Sequence, residues 1–192
     1  MPVDFYNRNA ATYFRDTVGA NVASLHVRFL QHLVSGACIL DAGCGSGRDV
    51  RAFHEAGYDV VAFDGSAEMA KLASAYTGLE VQQLTFEDME WEDAFDGIWA
   101  SASLLHVPRG NLIHVFKRFA RALKKGGVWY LSMKHGHRDR VIDGRHFTDI
   151  AEPELRQRIN TTGLKVKEVW LSDDVRPGRS DRWINAIVIR RD

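Results

Sequence analysis

Cysteine is nearly absent from this sequence. The 192 residues hold only Cys38 and Cys44, too few for a disulfide framework, which points to a reducing compartment. Proline is sparse too: Pro2, Pro108, Pro153 and Pro177 each stand where an element can start or a loop can turn. There is no Pro- or Ser-rich linker, no low-complexity tract and no internal repeat. Net charge is missing as well. Lys plus Arg and Asp plus Glu number 25 each, so the basic excess of a dedicated nucleic-acid binder is absent. No run approaches the ~18 to 20 apolar residues of a membrane span. Charges at Asp4, Arg8, Arg15, Asp16 and Arg28 interrupt the first 30 residues, which excludes a signal peptide. A cytoplasmic setting is expected.

What is present suits one globular domain over residues 1–192. Apolar residues make up 45% and charged residues 26%, outside the range of disordered chains. Charge is mildly polarised, with a net of −3 over residues 1–133 and +3 over residues 134–192. Anion-friendly groups therefore gather in the last third.

Hydrophobic periodicity divides the chain into alternating elements. Tyr6, Ala10, Tyr13 and Phe14 share one face of a helix over 5–17, and Val22, Leu25, Phe29 and Leu33 share one over 20–34. Ala37 to Leu40 is a short apolar run that meets Asp41 and a glycine turn, as a buried strand does. A helix is expected over 47–56. A second strand, 58–63, ends at Asp64, and Ser66 caps the helix after it. Weaker strand signals cover 80–84 and 95–100. Pro108 is expected to open a helix striped by Leu112, Phe116, Phe119 and Leu123, closed by Lys124 to Gly127. A fifth strand follows over 128–133, then a helix over 152–162. Strands over 164–171 and 183–190 are joined by a polar loop, Ser172 to Asp181. Strands alternating with helices give a doubly wound, mostly parallel seven-stranded α/β sheet. Two closing strands without a helix between them pair as a hairpin, so one strand is antiparallel.

The sharpest local feature is Asp41-Ala42-Gly43-Cys44-Gly45-Ser46-Gly47. Glycines at alternate positions let the backbone turn tightly and let a ligand approach the main chain. A loop between the first strand and first helix of such a sheet is the expected ligand crevice. A dinucleotide fingerprint spaces its glycines as G-x-G-x-x-G to seat a pyrophosphate. Here the third glycine comes one residue early, and the Asp41 carboxylate would repel a pyrophosphate. It favours a positively charged ligand, and S-adenosylmethionine carries an ammonium and a sulfonium without phosphate. Asp64 ends the second strand where an acid can accept hydrogen bonds from ribose hydroxyls. That role fits NAD and S-adenosylmethionine alike, and a plain turn cap with Ser66 is the alternative.

Ile39 to Gly47 resembles the first motif of the class I S-adenosylmethionine-dependent methyltransferases, with Asp64 as their ribose acid. Phe95 to Ser101 is similar to the family's fourth strand, Leu123 to Gly127 to the turn before its fifth, and the closing hairpin to its last two strands. The short chain and the Gly47-Arg48-Asp49 continuation are similar to a small-molecule branch that includes the tellurite-resistance methyltransferases. The resemblance implies a Rossmann-like core over 35–192 and an N-terminal helical lid over 1–34. It implies cofactor contacts from Tyr6 and Tyr13 on the lid, from Asp41, Gly43, Cys44, Gly45 and Gly47, and from Asp64, Gly65, Ser66 and Met69. Ser101 completes the set. Relatives often carry a Gly-Asp pair after the third strand to meet adenine. This chain has Leu84 and Thr85 there, then Phe86, Glu87 and Asp88, so Thr85, Phe86 and Glu87 are the adenine candidates.

Methyl transfer from a sulfonium asks mainly for proximity, alignment and a dry pocket. A thiolate or reduced chalcogen oxyanion needs no general base, whereas an amine or hydroxyl has a proton to lose. His106 is the candidate base or hydrogen-bond donor, the alternative being a histidine satisfied by nearby backbone. Lys134, Arg145, Arg176 and Arg179 are expected to bind the acceptor, since guanidinium forks match oxyanions. His135 and His137 lack further ligands at metal spacing, so no metal is expected. The leading function is methylation of a small molecule, such as tellurite or a thiol. An RNA or protein methyltransferase, a non-catalytic S-adenosylmethionine-binding regulator and a nicotinamide-dependent oxidoreductase are the competing readings. Zero net charge counts against RNA, and Asp41 against the last.

Overall fold

The computed structural model describes residues 2–176 and 178–191; the expectation for Pro177 lies outside the described residues. Strands β1 (Cys38–Ala42), β2 (Asp59–Asp64), β3 (Val81–Gln83), β4 (Phe95–Ser101), β5 (Leu123–Lys134), β8 (Lys165–Asp173) and β9 (Arg182–Ile189) form one sheet in the order β3-β2-β1-β4-β5-β9-β8. All neighbours run parallel except β9, which is antiparallel to both β5 and β8. The expected seven-stranded sheet with one reversed strand is thus the observed one.

Alternation along each strand sorts side chains to two faces. Leu40, Ile98, Trp129 and Leu131 pack with Leu112, Phe116 and Phe119 of α5 (Leu112–Ala122) and with Leu155 and Ile159 of α6 (Glu152–Asn160). Their neighbours Ile39, Trp99 and Tyr130 face the other way, onto Phe29 of α2 (Ala23–Leu30) and Phe53 of α3 (Arg48–Glu55). Val50 of α3 and Ala70 and Ala73 of α4 (Ala67–Thr77) cover Ala62 and Val81. Each large apolar side chain buried this way contributes about 1.5–3 kcal/mol. Ser66 caps α4 as expected, accepting a hydrogen bond from the Met69 amide.

Several expectations need correction. α1 (Pro2–Thr17) lines the cavity at the carboxyl ends of the strands through Tyr6 and Tyr13, and Ala20, Val22 and Leu25 line it too. α2 is shorter than the expected 20–34 and belongs to the core, its fully buried Phe29 packed on Trp99 at 5.3 Å between ring centroids. Pro108 does not open α5, which starts at Leu112 after a turn closed by the Asn111 amide on the Pro108 carbonyl. Lys124 to Gly127 do not close that helix. It stops at Ala122, Leu123 is already extended, and the four residues belong to β5. The 80–84 strand narrows to Val81–Gln83, because the chain then turns into a short 3-10 segment, Phe86–Asp88. β8 runs on to Asp173, trimming the expected loop. Finally, β6 (Asp139–Ile142) and β7 (Arg145–Thr148) form a separate hairpin where no element was expected.

One buried carboxylate ties the second face together. Asp49, 5% exposed in the first turn of α3, accepts hydrogen bonds from His26 Nε2 of α2 (2.9 Å) and Trp99 Nε1 of β4 (2.9 Å). It also takes two from the Arg48 guanidinium, at 2.8 and 2.7 Å. Burial works to raise its pKa, but the donors from His26 and Arg48 outweigh it and hold the carboxyl well below the usual carboxylate range. Asp49→Asn should therefore destabilise by about 3–5 kcal/mol, the typical cost of breaking a buried pair, read as a fall of roughly 10 °C in Tm. The sign follows from the depressed pKa. The gap between wild type and variant should persist from neutral pH down to about 4, the unfolded carboxyl's value, and shrink only below it. Thermal melts across that range check both.

Candidate functional site

The strand order reverses between β1 and β4, which opens a crevice at their carboxyl ends. There a cavity of about 860 Å³ runs from the β1–α3 loop to the loop before β9. Its floor is the glycine loop. Gly43 has φ +77°, and a Cβ there would lie 2.6 Å from Ser103 Cβ. Ser103 in turn donates to the Ala42 carbonyl at 2.8 Å, so the loops after β1 and β4 interlock. Ala102, beside it, holds φ +53°, a conformation side chains disfavour. Its amide is fixed by Ser132 Oγ at 2.9 Å. Gly47 departs from expectation and does not line the cavity. It starts α3 at φ +75°, with Thr77 and Ala73 of α4 so close that a Cβ would lie 2.9 Å from Thr77. Helix packing, not ligand approach, requires this glycine.

Two carboxylates face the floor in different states. Asp41 is 2% exposed, and its Oδ2 has no hydrogen-bond partner among the described residues. Burial, with Asp49 and Asp64 nearby, pushes its pKa well above the usual range, against the pull of Arg48 and the Val50 amide. Asp64 accepts from the Gly45 amide at 2.9 Å and the Ser66 amide at 2.8 Å. Burial raises its pKa while these amides lower it. The turn-cap reading of Asp64 is therefore correct in geometry, yet each oxygen keeps a free lone pair and the residue lines the cavity.

Cys44, Gly65, Ser66 and Met69 continue this wall. Ser66 also donates to Asn7 of α1 at 2.6 Å, which fastens the lid. Thr85, Phe86 and Glu87 line the same end, but the Thr85 hydroxyl is already donated to Asp88 Oδ2 at 2.5 Å. What Thr85 keeps for a ligand is its accepting lone pairs. Phe86 presents its ring to the cavity while packing on Phe63 and Phe119, and Glu87 is exposed.

At the other end stand Ser101, His106, Lys134, Arg145, Arg176 and Arg179. Tyr6 and Tyr13 reach over from α1, their rings edge-on at 4.9 Å. Tyr6 Oη lies 2.7 Å from His106 Nε2, and His106 Nδ1 lies 2.7 Å from the His146 carbonyl. Burial, reinforced by Arg145, His146 and Lys134, pushes the His106 pKa down to about 4, against the His146 carbonyl. The basic residues are unequal. Lys134 is paired with Asp181 at 2.8 Å, and Arg176 grips Asp174 through Nε and Nη2 at 2.9 and 2.6 Å. Arg145 stacks 3.9 Å over Phe5, reaches Asp143 only at 3.5 Å and keeps a buried Nε without a partner among the described residues. Arg179 is exposed. His135 and His137 are also exposed.

Sequence reasoning missed three contributors. Tyr130 lines the cavity and donates to Asn185 at 2.8 Å. Asp174 neutralises Arg176. Phe147 of β7 stands beside His106, ring centroids 4.9 Å apart. Only Tyr130 had a signal, an aromatic with a polar tip near the carboxyl end of a strand.

Residues 39–127 match the family model of a methyltransferase domain. That segment contains Asp41, the glycine loop, Asp64 and His106. A ubiquinone biosynthesis O-methyltransferase of Xanthomonas oryzae pv. oryzae is 34% identical over 107 residues, 52% of this chain and 44% of that protein. The chain thus spans less than half the length of the relative it matches. The cypemycin N-terminal methyltransferase of a Streptomyces species is 31% identical over 103 residues, 51% of this chain and 42% of that one. Among solved structures, the 1,6-didemethyltoxoflavin-N1-methyltransferase of Burkholderia thailandensis, bound to 1,6-didemethyltoxoflavin and S-adenosylhomocysteine, superposes with a TM-score of 0.79. It is 21% identical, over 100% of this chain and 91% of that one, and the likeness is one of fold: the Rossmann-like methyltransferase sheet. No helix among the described residues is long and apolar enough to cross a membrane.

The loop geometry makes a prediction of its own. Asp64→Ala frees the Gly45 and Ser66 amides together, so their hydrogen exchange should accelerate at least tenfold while the amides of β1 stay protected. Residue-resolved exchange measures it.

Proposed function

We propose that the chain is an S-adenosylmethionine-dependent methyltransferase acting on a small-molecule acceptor. The observation that carries this reading is the Asp41 carboxylate, buried beneath the glycine loop and open to the cavity with one oxygen unsatisfied. Such a group calls for a cation. A dinucleotide would bring a pyrophosphate to the same floor, against Asp41 and Asp64. The Gly45 amide, a natural phosphate donor, is already spent on Asp64. The methyltransferase relatives support the same choice.

When bound, the cofactor supplies a methyl group already activated on a sulfonium. The chain's residues bind and enclose it. Asp41 takes the ammonium, and the free lone pairs of Asp64 accept from the ribose hydroxyls. Met69, Leu84 and Phe86 offer apolar walls to adenine. Tyr6 and Tyr13 on α1 close the cavity to water, which favours transfer over side reactions.

The acceptor belongs at the His106 end. A chalcogen oxyanion such as tellurite, or a thiolate, draws support from Arg145. Yet Lys134 and Arg176 are neutralised by Asp181 and Asp174, so the free positive charge is smaller than the count of basic residues suggests. That favours a neutral or singly charged acceptor.

Isothermal titration tests the cofactor. S-adenosylmethionine and S-adenosylhomocysteine should bind, and NAD should not. Asp41→Asn should weaken both by about ten- to a hundredfold, the ~1.5–3 kcal/mol of a charge-assisted contact. Unchanged affinity in that variant, or tight binding of NAD, overturns the assignment.

A further inference from the structure

The hydrogen bonds of His106 fix its tautomer. The His146 carbonyl can only accept, so Nδ1 carries the ring proton. The imidazole is neutral at physiological pH, because burial disfavours its charged form. Nε2 is then a lone pair, and the Tyr6 hydroxyl 2.7 Å away must be its donor. The tyrosine proton is thereby committed to the histidine; the Arg145 guanidinium faces the phenolic oxygen and takes one of its lone pairs, which leaves the other to accept.

This arrangement has a steric corollary. Tyr6 covers Nε2, the only basic atom of His106 left to a substrate. With Nε2 engaged by Tyr6, a substrate proton can reach it through the phenolic oxygen. Tyr6 is held there by its neighbours: its ring stands edge-on to Tyr13 at 4.9 Å, to Phe5 at 5.5 Å and to His106 at 5.4 Å. Both residues line the cavity whose other end holds Asp41.

We propose, resting on the methyltransferase reading, that Tyr6 is a catalytic residue that relays the acceptor's proton to His106, and that the acceptor is therefore a hydroxyl or N–H compound. In the step, a lone pair on the acceptor oxygen or nitrogen forms the new bond to the methyl carbon. The carbon–sulfur bond breaks, and its electron pair stays on sulfur as a neutral thioether. The acceptor's proton passes to Tyr6 Oη as the tyrosine's own proton passes to His106 Nε2. The imidazolium formed keeps its Nδ1 hydrogen bond to His146. One positive charge leaves sulfur and one appears on His106, so the buried cavity holds the same net charge before and after. The tyrosine never has to ionise. That matters because burial and the neighbouring Tyr13 raise its pKa against the pull of Arg145.

The groups that face this pair are Tyr13 on α1, Asp64 at the end of β2, Lys134 on β5, and Arg145 and His146 on β7. Burial, aided by the charges of Arg145 and Lys134, keeps His106 unprotonated at neutral pH, so the base form is ready. A thiolate or a chalcogen oxyanion has no proton to give up and gains nothing from the relay, which separates the acceptor classes.

The test uses the full chain with phenol-, imidazole- and thiol-bearing probe acceptors, following S-adenosylhomocysteine formation, alongside Tyr6→Phe and His106→Gln. Tyr6→Phe keeps the ring and removes only the relay oxygen. We expect it to lower kcat on hydroxyl or N–H probes about a hundredfold or more, in the range of general acid–base contributions. The loss should exceed that on thiol probes at least tenfold and exceed any change in S-adenosylhomocysteine affinity by calorimetry. His106→Gln should show the same selectivity. Independently of turnover, ¹⁵N shifts of His106 in the S-adenosylhomocysteine complex should report a protonated Nδ1 and an acceptor Nε2, with Nε2 shifting in Tyr6→Phe. Equal losses on all probe classes, full activity of Tyr6→Phe on hydroxyl and N–H probes, or a protonated Nε2 overturns the relay. Where no probe turns over, the nitrogen shifts decide. Failure of the wild type to bind S-adenosylmethionine at all sinks the underlying function instead, a result distinct from each of these.

Discussion

The saturated Asp49 carboxylate is the constraint on which the rest of the structure depends. It sits where α2, α3 and β4 converge and takes hydrogen bonds from His26, Arg48 and Trp99. A buried carboxylate with that many donors stays ionised and fixes the positions of all three elements. It also claims the Arg48 guanidinium, the cation best placed to neutralise Asp41. The two acids are thus divided in role: one is satisfied by the protein and holds the fold, the other is left unsatisfied and faces the cavity. Trp99 carries the arrangement further, stacked on Tyr130 at 4.0 Å, so the wall of the site inherits its position from the same hub.

Much of this was legible in the sequence, and the reasons differ by element. Strands β1, β2, β4 and β5 are short apolar runs bounded by glycines or acids, a signal that burial on both faces imposes. Asp41 and Asp64 could be found because they end such strands. The closing pair β8 and β9 could be read as a hairpin because no helix lies between them. The β6–β7 hairpin could not. Its adjacent apolar residues Val141 and Ile142 are both exposed, so no alternation marks it, and what fixes it is long-range. Arg109 bonds to Asp139, Glu154 and the Asp149 carbonyl, and Thr148 bonds to the Val107 carbonyl.

Within the site, several of the expected groups are already engaged by neighbours. Thr85 looked like a free hydroxyl, but the Asp88 three residues on closes a capping box with it. Lys134 and Arg176 looked like anion ligands, but their partners Asp181 and Asp174 come from the loop before β9. Gly47 belongs to the motif in sequence, but its neighbours in space are Ala73 and Thr77 of α4. A sequence shows which groups are present; it does not show which of them are already satisfied.

The reversed direction of β9 has a consequence for how the site can change. Parallel neighbours are joined by crossovers whose helices must pack on the sheet, so their lengths are tied to the core. β8 and β9 instead run antiparallel, and Asp174, Val175, Arg176, Arg179 and Asp181 from the connection between them line the cavity at the carboxyl end of the parallel strands. This connection is tethered at both ends by a strand pair and packs no helix of its own. Lengthening such a loop costs little, about 0.6 kcal/mol for each doubling. The antiparallel strand of the seven-stranded sheet therefore gives the cavity a wall whose length and composition can drift from chain to chain while the sheet beneath it stays in register.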